Sequence, residues 1–97
     1  MVLSKYVLLV VDDEPASVRA IVRALAEDYQ VLTARGGREA LAVLAAQPVA
    51  MMIVDQRMPD MPGTELLARS AQEHPDMIRV LLTGYTAVET LVDAINA

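Results

Sequence analysis

The sequence predicts an α/β fold built on a doubly wound parallel sheet. Short runs of apolar residues alternate along the chain with stretches whose apolar residues recur every three or four positions. Runs that are apolar throughout are typical of parallel strands covered on both faces, and the helical spacing is typical of the crossovers between them. Strands that alternate with helices of this length indicate right-handed βαβ units. Acidic or hydroxyl residues follow directly after three of the apolar runs, which suggests a site at one edge of the sheet.

The first half of the chain contains two predicted strand–helix pairs. Residues 5–11 form the first apolar run, and Pro15 suits the first position of the helix that follows it. Residues 29–34 form a second strand, and the glycines at 36 and 37 precede a second helix that we expect to end before Pro48.

The second half repeats the alternation. Residues 49–54 form a third strand, and a loop with two prolines follows at residues 55–62. Gly63 begins a third helix, which ends at the turn residues 74–76, and residues 77–82 form a fourth strand. Thr86 and Glu89 have the spacing of a capping box, which predicts the start of a fourth helix there.

The polar residues at three strand ends form the candidate site. In open α/β sheets ligands bind outside the carboxyl ends of the strands, and with strand order 2-1-3-4 the ends of strands 1, 3 and 4 are neighbours. Asp12 and Asp13 follow strand 1, Asp55 follows strand 3 and Thr83 follows strand 4. The fold therefore predicts that these side chains converge.

Three neighbouring carboxylates have a definite chemistry. Their mutual repulsion raises a carboxyl pKa or favours a hard divalent cation, and Mg2+ commonly takes one or two carboxylates together with phosphate oxygens. A carboxylate beside such a cation can act as a nucleophile and form an aspartyl phosphate. We expect Asp55 to be that nucleophile and the Thr83 hydroxyl to donate to a phosphoryl oxygen.

Each of these residues also has a purely structural interpretation. Asp13 and Glu14 precede Pro15 and can cap a helix. Asp55 can initiate an Asx-turn at the start of the proline loop, and Thr83 can be an ordinary residue at a strand terminus. The combination at three neighbouring strand ends favours the site over these separate explanations.

Three segments resemble the motifs of the receiver domain of two-component response regulators: Val10-Val11-Asp12-Asp13-Glu14-Pro15, Val54-Asp55-Gln56-Arg57-Met58-Pro59 with Met61 and Gly63, and Leu82-Thr83-Gly84. The resemblance covers the whole chain and implies a flavodoxin-like receiver fold. The sequence around Asp55 is similar to that in receivers of NtrC-type transcriptional activators, including hydrogenase-synthesis regulators, and in some receivers linked to cyclic-diguanylate hydrolysis.

The resemblance implies a phosphorylation switch rather than an ordinary enzyme. Asp55 would accept a phosphoryl group from a phosphohistidine on a sensor histidine kinase. Asp12 and Asp13 would hold Mg2+ together with Asp55 and the backbone carbonyl of Arg57, and Thr83 with Gly84 would bind the phosphoryl group and switch conformation. The partners implied are the kinase, a DNA-binding output domain of the same protein and a second copy in a homodimer.

The chain departs from the receiver pattern at its carboxyl end. A full receiver has five strand–helix pairs, and the fifth strand, the fifth helix and a lysine at a strand end have no counterpart among residues 1–97. Lys5, the only lysine, lies on the first predicted strand and cannot be matched to that position. We expect the chain to be a single receiver domain that is C-terminally incomplete.

Composition excludes several other classes of function. The formal net charge of -5 and the scattered basic residues argue against direct contact with nucleic acid. The chain has no cysteine, no recognisable signal peptide and no apolar segment long enough to span a membrane, so we expect a cytoplasmic protein.

Two rival functions remain. One is a receiver-like interaction module that acts without phosphorylation, and the other is a haloacid-dehalogenase-type phosphatase, for which Glu14 stands where a second aspartate is needed.

Overall fold

A computed structural model describes residues 6–96 and shows four strands and four helices in strict alternation. The predicted α/β class is confirmed, and Lys5 lies outside the described residues. The strands are β1 (Val7–Val11), β2 (Gln30–Ala34), β3 (Met51–Asp55) and β4 (Ile78–Leu82). The helices are α1 (Pro15–Leu25), α2 (Gly37–Ala46), α3 (Gly63–Glu73) and α4 (Tyr85–Ile95).

The four strands form one parallel sheet in the order β2-β1-β3-β4, as the sequence predicts. Val11 of β1 is paired with Ala34 of β2 and with Val54 of β3, and Asp55 is paired with Leu82 of β4. The carboxyl ends of β1, β3 and β4 therefore lie side by side at one edge of the sheet.

Each face of the sheet carries its own apolar layer, because successive side chains of a strand point to opposite faces. One layer joins alternate residues of β1 and β3 to helices α2 and α3. The other joins the remaining strand residues to α1 and α4. Three methionines, Met52, Met61 and Met77, are buried in the first layer. The central strands are thus covered on both sides.

Among the described residues, five strand boundaries differ from the predictions by one or two residues. Tyr6 and Met77 lie in the predicted strands, whereas β1 begins at Val7 and β4 at Ile78. The sequence places the start of β2 at Tyr29 and the start of β3 at Val49, whereas the strands begin at Gln30 and Met51. At its other end β3 extends one residue further and includes Asp55, because the ladder with β4 continues through the Gln56 N–H bond to the Leu82 carbonyl. Asp55 is therefore held by the sheet, and its side chain also starts the loop as an Asx-turn, because its Oδ2 accepts from the Arg57 N–H two residues further on.

The predicted capping box at the start of α4 is wrong. The helix begins at Tyr85, and Gly84 is its N-cap, with no side chain that could cap. Thr86 consequently lies inside the first turn and cannot occupy the capping position. Among the described residues, no helix is long and apolar enough to cross a membrane.

Candidate functional site

A cleft of about 560 Å³ opens at the carboxyl ends of β1, β3 and β4. The predicted site residues all line it: Asp12, Asp13, Asp55, Arg57, Thr83 and Gly84. Sequence reasoning missed four further lining residues: Glu14, Ser17 on the first turn of α1, Gln56 and Val88 on α4. The positions of Ser17 and Val88 depend on how the helices pack against the sheet, which local spacing does not show.

Asp12 is the buried member of the site, with 4% of its surface exposed. Its Oδ1 accepts a hydrogen bond of 2.9 Å from the Glu14 N–H, and its own N–H donates to the Ala34 carbonyl at 3.0 Å. Burial raises the pKa of Asp12 above its ordinary value. The hydrogen bond from Glu14 opposes this rise, and the charge of Asp55 adds to it.

Asp55 is half-buried at the last position of β3. Its Oδ2 accepts a hydrogen bond of 3.1 Å from the Arg57 N–H. Desolvation raises the pKa of Asp55. The hydrogen bond from Arg57 lowers this pKa, and the charge of Asp13 raises it. Asp55 is thus a sheet-anchored carboxylate that still reaches the cleft.

Asp12, Asp13 and Asp55 form what we call the acidic cluster. Each offers a carboxylate oxygen, and the three oxygens lie within 4.8 Å of one another. Within residues 6–96, the one ion pair joins Glu65 to Arg69 on α3. No basic side chain of these residues therefore forms an ion pair with the acidic cluster. Three hard oxygen ligands without a paired cation are the donor set that Mg2+ prefers, so the residues fit this ion.

Helix α1 begins beside the cluster with a cap from Glu14 rather than from Asp13. The Glu14 Oε1 accepts a hydrogen bond from the Ala16 N–H at 3.0 Å, and Pro15 occupies the first helical turn. Of the two residues that could cap the helix, Asp13 and Glu14, it is therefore Glu14 that does so. Asp13 remains exposed, with an oxygen directed to the cluster.

Thr83 and Gly84 form the opposite wall of the cleft, between β4 and α4. Thr83 is exposed, and none of the hydrogen bonds between described groups involves its side chain. Gly84 has a φ of 92°, in the left-handed region that glycine adopts without strain. A glycine in the left-handed region thus lies next to Thr83 in the chain.

The loop between β3 and α3, residues 56–62, is closed at its base by Gln56. The Gln56 carbonyl accepts from the Gly63 N–H, and its Oε1 accepts from the Thr64 N–H, each at 3.0 Å. A Cβ on Gly63 would lie 2.5 Å from the Asp55 carbonyl oxygen, so only glycine permits this closure. Arg57 lies inside the closed loop with an exposed side chain.

The family of the chain follows from comparison with known proteins. Residues 8–97 match the response regulator receiver domain. The chain belongs to this family. The similarity of this receiver domain to hydrogenase-type NtrC regulators is confirmed by the hydrogenase transcriptional regulatory protein HoxA of Cupriavidus necator, which is 40% identical over 89 residues. The match covers 92% of this chain and 18% of HoxA.

Solved structures show the same fold. A CheY-like response regulator receiver domain protein from Methanospirillum hungatei superposes with a TM-score of 0.80 at 33% identity, covering 96% of this chain and 75% of that one. The response regulator TrrA from Thermotoga maritima, solved in complex with Mg2+ and BeF, gives 0.78 at 30% identity, covering 93% and 80%. The flavodoxin-like receiver fold is therefore confirmed. Receiver domains bind Mg2+, and the acidic cluster supplies suitable ligands for it.

Proposed function

We propose that this receiver domain is a phosphorylation switch whose acceptor is Asp55. The observation that carries the proposal is the acidic cluster itself, in which a half-buried carboxylate at the end of β3 lies within 4.8 Å of two others. The sheet holds Asp55 through its pairing with Leu82, and its Oδ2 bonds the Arg57 N–H. The other oxygen of Asp55 is then the nucleophile.

The phosphoryl donor is a phosphohistidine on a sensor histidine kinase. The Asp55 oxygen forms a bond to phosphorus while the bond from phosphorus to the histidine nitrogen breaks, and that nitrogen keeps the electron pair. An aspartyl phosphate on Asp55 results, and water later hydrolyses it. The domain thus assists its own phosphorylation and dephosphorylation but does not turn over an external substrate as an ordinary enzyme does.

Asp12, Asp13, Asp55 and the backbone carbonyl of Arg57 hold Mg2+ in this proposal. When bound, the ion neutralises negative charge on the transferring phosphoryl group. The chain's own contribution is to keep the carboxylates together, which the hydrogen bond from Glu14 to Asp12 and the position of Asp55 in the sheet both support. The same charges that destabilise the ion-free cluster favour the bound cation.

Thr83 and Gly84 read out the modification. The Thr83 hydroxyl donates to a phosphoryl oxygen on Asp55, across the cleft that both residues line. The left-handed Gly84 lets the segment before α4 change its backbone angles at low cost. Phosphorylation therefore biases a two-state arrangement of this segment and of α4.

The wider assembly is also part of the proposal. The chain covers about a fifth of the length of HoxA, which is a hydrogenase transcriptional regulatory protein. We infer that residues 1–97 are the receiver domain of a longer cytoplasmic regulator, with a DNA-binding output domain and a homodimeric state. The receiver's own net charge of -5 supports contact with protein partners rather than with DNA.

The proposal is tested by intact-mass analysis after incubation with acetyl phosphate and Mg2+. We expect one phosphoryl adduct on the parent protein and none on Asp55→Asn, because the amide removes the nucleophile while it keeps the shape of the side chain. Circular dichroism shows whether both proteins are folded. A folded parent without an adduct would contradict the switch and favour an interaction module, and an adduct on Asp55→Asn would assign another acceptor.

A further inference from the structure

A carboxylate outside the acidic cluster links the loop of residues 56–62 to helix α2. Asp60 lies in this loop, and its Oδ1 and Oδ2 accept hydrogen bonds from the N–H groups of Gly37 and Arg38 at 3.1 and 2.9 Å. These donors belong to the first turn of α2, whose own N-cap, Gly36, makes no side-chain capping bond. The cap of α2 is therefore supplied by a residue more than twenty positions away along the chain. We call this arrangement the Asp60 cap.

The sequence around α2 is shaped to receive Asp60. A Cβ on Gly36 would lie 2.7 Å from the Asp60 Oδ1, and a Cβ on Gly37 would overlap the side chain of Met61. Met61 is buried in the apolar layer that joins α2 and α3. Because a side chain at either glycine would collide with Asp60 or Met61, the cap is a built contact between the loop and the start of α2 rather than a chance encounter of an exposed carboxylate.

The same loop carries Arg57, whose backbone takes part in the candidate site. The base of the loop is closed by the bond from the Gly63 N–H to the Gln56 carbonyl, and its far side is held by the Asp60 cap. Arg57 lies between these two attachments, and its N–H already bonds Asp55. The course of the backbone through Arg57 is thus set from both ends.

We propose that Asp60 is a positioning residue of the phosphoacceptor site, which acts by holding the Arg57 backbone carbonyl towards the cation. This inference rests on the proposed function, since it concerns how the Mg2+ ligands are arranged. Asp60 itself does not touch the ion or the phosphoryl group. Its carboxylate suits the role because the two N–H donors and the positive end of the helix dipole favour its charged form.

The chain provides a matched control in Glu39. Its Oε2 accepts a hydrogen bond of 3.1 Å from the Arg35 N–H at the same end of α2, and among the described residues no hydrogen bond or ion pair joins Glu39 to the loop of residues 56–62. Asp60→Ala and Glu39→Ala each remove one exposed carboxylate from the amino end of α2. A role confined to stabilising the end of the helix leaves the Mg2+ affinity of both folded variants unchanged, whereas a positioning role lowers it in Asp60→Ala alone.

The test is a titration of the wild type and both variants with Mg2+, in which calorimetry measures the affinity. We expect Asp60→Ala to lower Mg2+ affinity by about five- to tenfold, near the lower end of the coupling expected between two linked sites, and Glu39→Ala to leave it unchanged. Phosphorylation of Asp60→Ala by acetyl phosphate is slow at low Mg2+ and recovers when the ion is saturating. Equal changes in Mg2+ affinity for the two variants, or none in a folded Asp60→Ala, would overturn the inference.

A second measurement needs no variant. Because linkage is reciprocal, a cap that favours cation binding must itself be tightened by the cation through the same factor. Hydrogen exchange at the Gly37 and Arg38 amides should slow by about five- to tenfold when Mg2+ saturates the wild type, and the Arg35 amide should not change. Unchanged exchange at Gly37 and Arg38 would overturn the inference. A wild type that binds no Mg2+ would contradict the proposed function as well, which separates the two failures.

Discussion

The acidic cluster and the Asp60 cap use the same side chain with opposite effects on its ionisation. In the cluster, burial raises the pKa of Asp12 and of Asp55, and neighbouring carboxylates raise each of them further. In the cap, the N–H groups of Arg38 and Gly37 lower the pKa of Asp60. The two regions lie on either side of one short loop.

The difference shows what each region contributes. Asp60 is exposed and has two backbone donors, so its charge stabilises the folded protein. Asp12 is buried with a single donor and faces two other carboxylates, so its charge opposes folding until a cation is present. The fold therefore tolerates an unfavourable site at the strand ends and stabilises the loop beside it.

The largest expected effect comes from Asp12→Asn. This change keeps an acceptor oxygen for the Glu14 N–H but removes a charge, so we expect Mg2+ affinity to fall by at least about tenfold while the ion-free domain becomes more stable. In the wild type, Mg2+ at about 100 times its Kd should add about 2.7 kcal/mol to the free energy of unfolding. Urea unfolding with and without Mg2+ measures both quantities.

The matched change in the other region is Asp60→Asn, which we expect to destabilise the protein, since it weakens two hydrogen bonds to a helix end. The same Asp→Asn substitution thus has opposite signs in the two regions. A loss of ion-free stability in Asp12→Asn would contradict the comparison.

A smaller effect is expected from Gly63→Ala, which disturbs the base of the loop that separates the two regions. Its Cβ would lie 2.5 Å from the Asp55 carbonyl oxygen, so the backbone must shift, at a cost of about 1–3 kcal/mol in the free energy of unfolding. Mg2+ affinity should fall as well, because Asp55 moves with its carbonyl. Thr64→Ala, at an exposed neighbour that keeps its N–H, is the control and should change stability by less than about 0.5 kcal/mol.

The smallest effect concerns pH, measured without Mg2+. The folded pKa of Asp12 lies above its unfolded value near 3.8, so the folded state binds the proton first. The stability of the wild type relative to Asp12→Asn should therefore rise as pH falls from above that raised pKa towards 3.8. Asp13, Glu14 and Asp55 are the charged groups that face Asp12.

Asp60 gives the opposite slope. Its folded pKa is lowered, so its contribution is present above about 3.8 and is lost as pH falls through the folded pKa. Unfolding of the wild type, Asp12→Asn and Asp60→Asn across pH 2–7 measures both slopes. Slopes of equal sign would show that the two carboxylates are not in contrasting environments.

Much of the fold was predictable because local patterns and sheet geometry agree. Apolar runs and helical spacing predict every element, and the rule that parallel strands present their carboxyl ends together predicts that Asp12, Asp55 and Thr83 share a cleft. The errors lie at element ends. The capping box at Thr86 and Glu89 fits the sequence, but the backbone at Gly84 starts α4 earlier than this motif requires.

The sequence by itself determined the alternation of strands and helices and the set of acidic residues at the strand ends, because these follow from periodicity and chain direction. The strand order was predicted from the fold class that this alternation indicates. Only the tertiary structure decided that Asp55 belongs to the sheet, that Asp12 is buried, and that Asp60 caps a helix to which no sequence motif connects it. Burial, desolvation and long-range hydrogen bonds depend on which segments meet in space. Local spacing carries no information about contacts between distant segments. The opposite pKa shifts of Asp12 and Asp60 therefore became apparent only in the folded molecule.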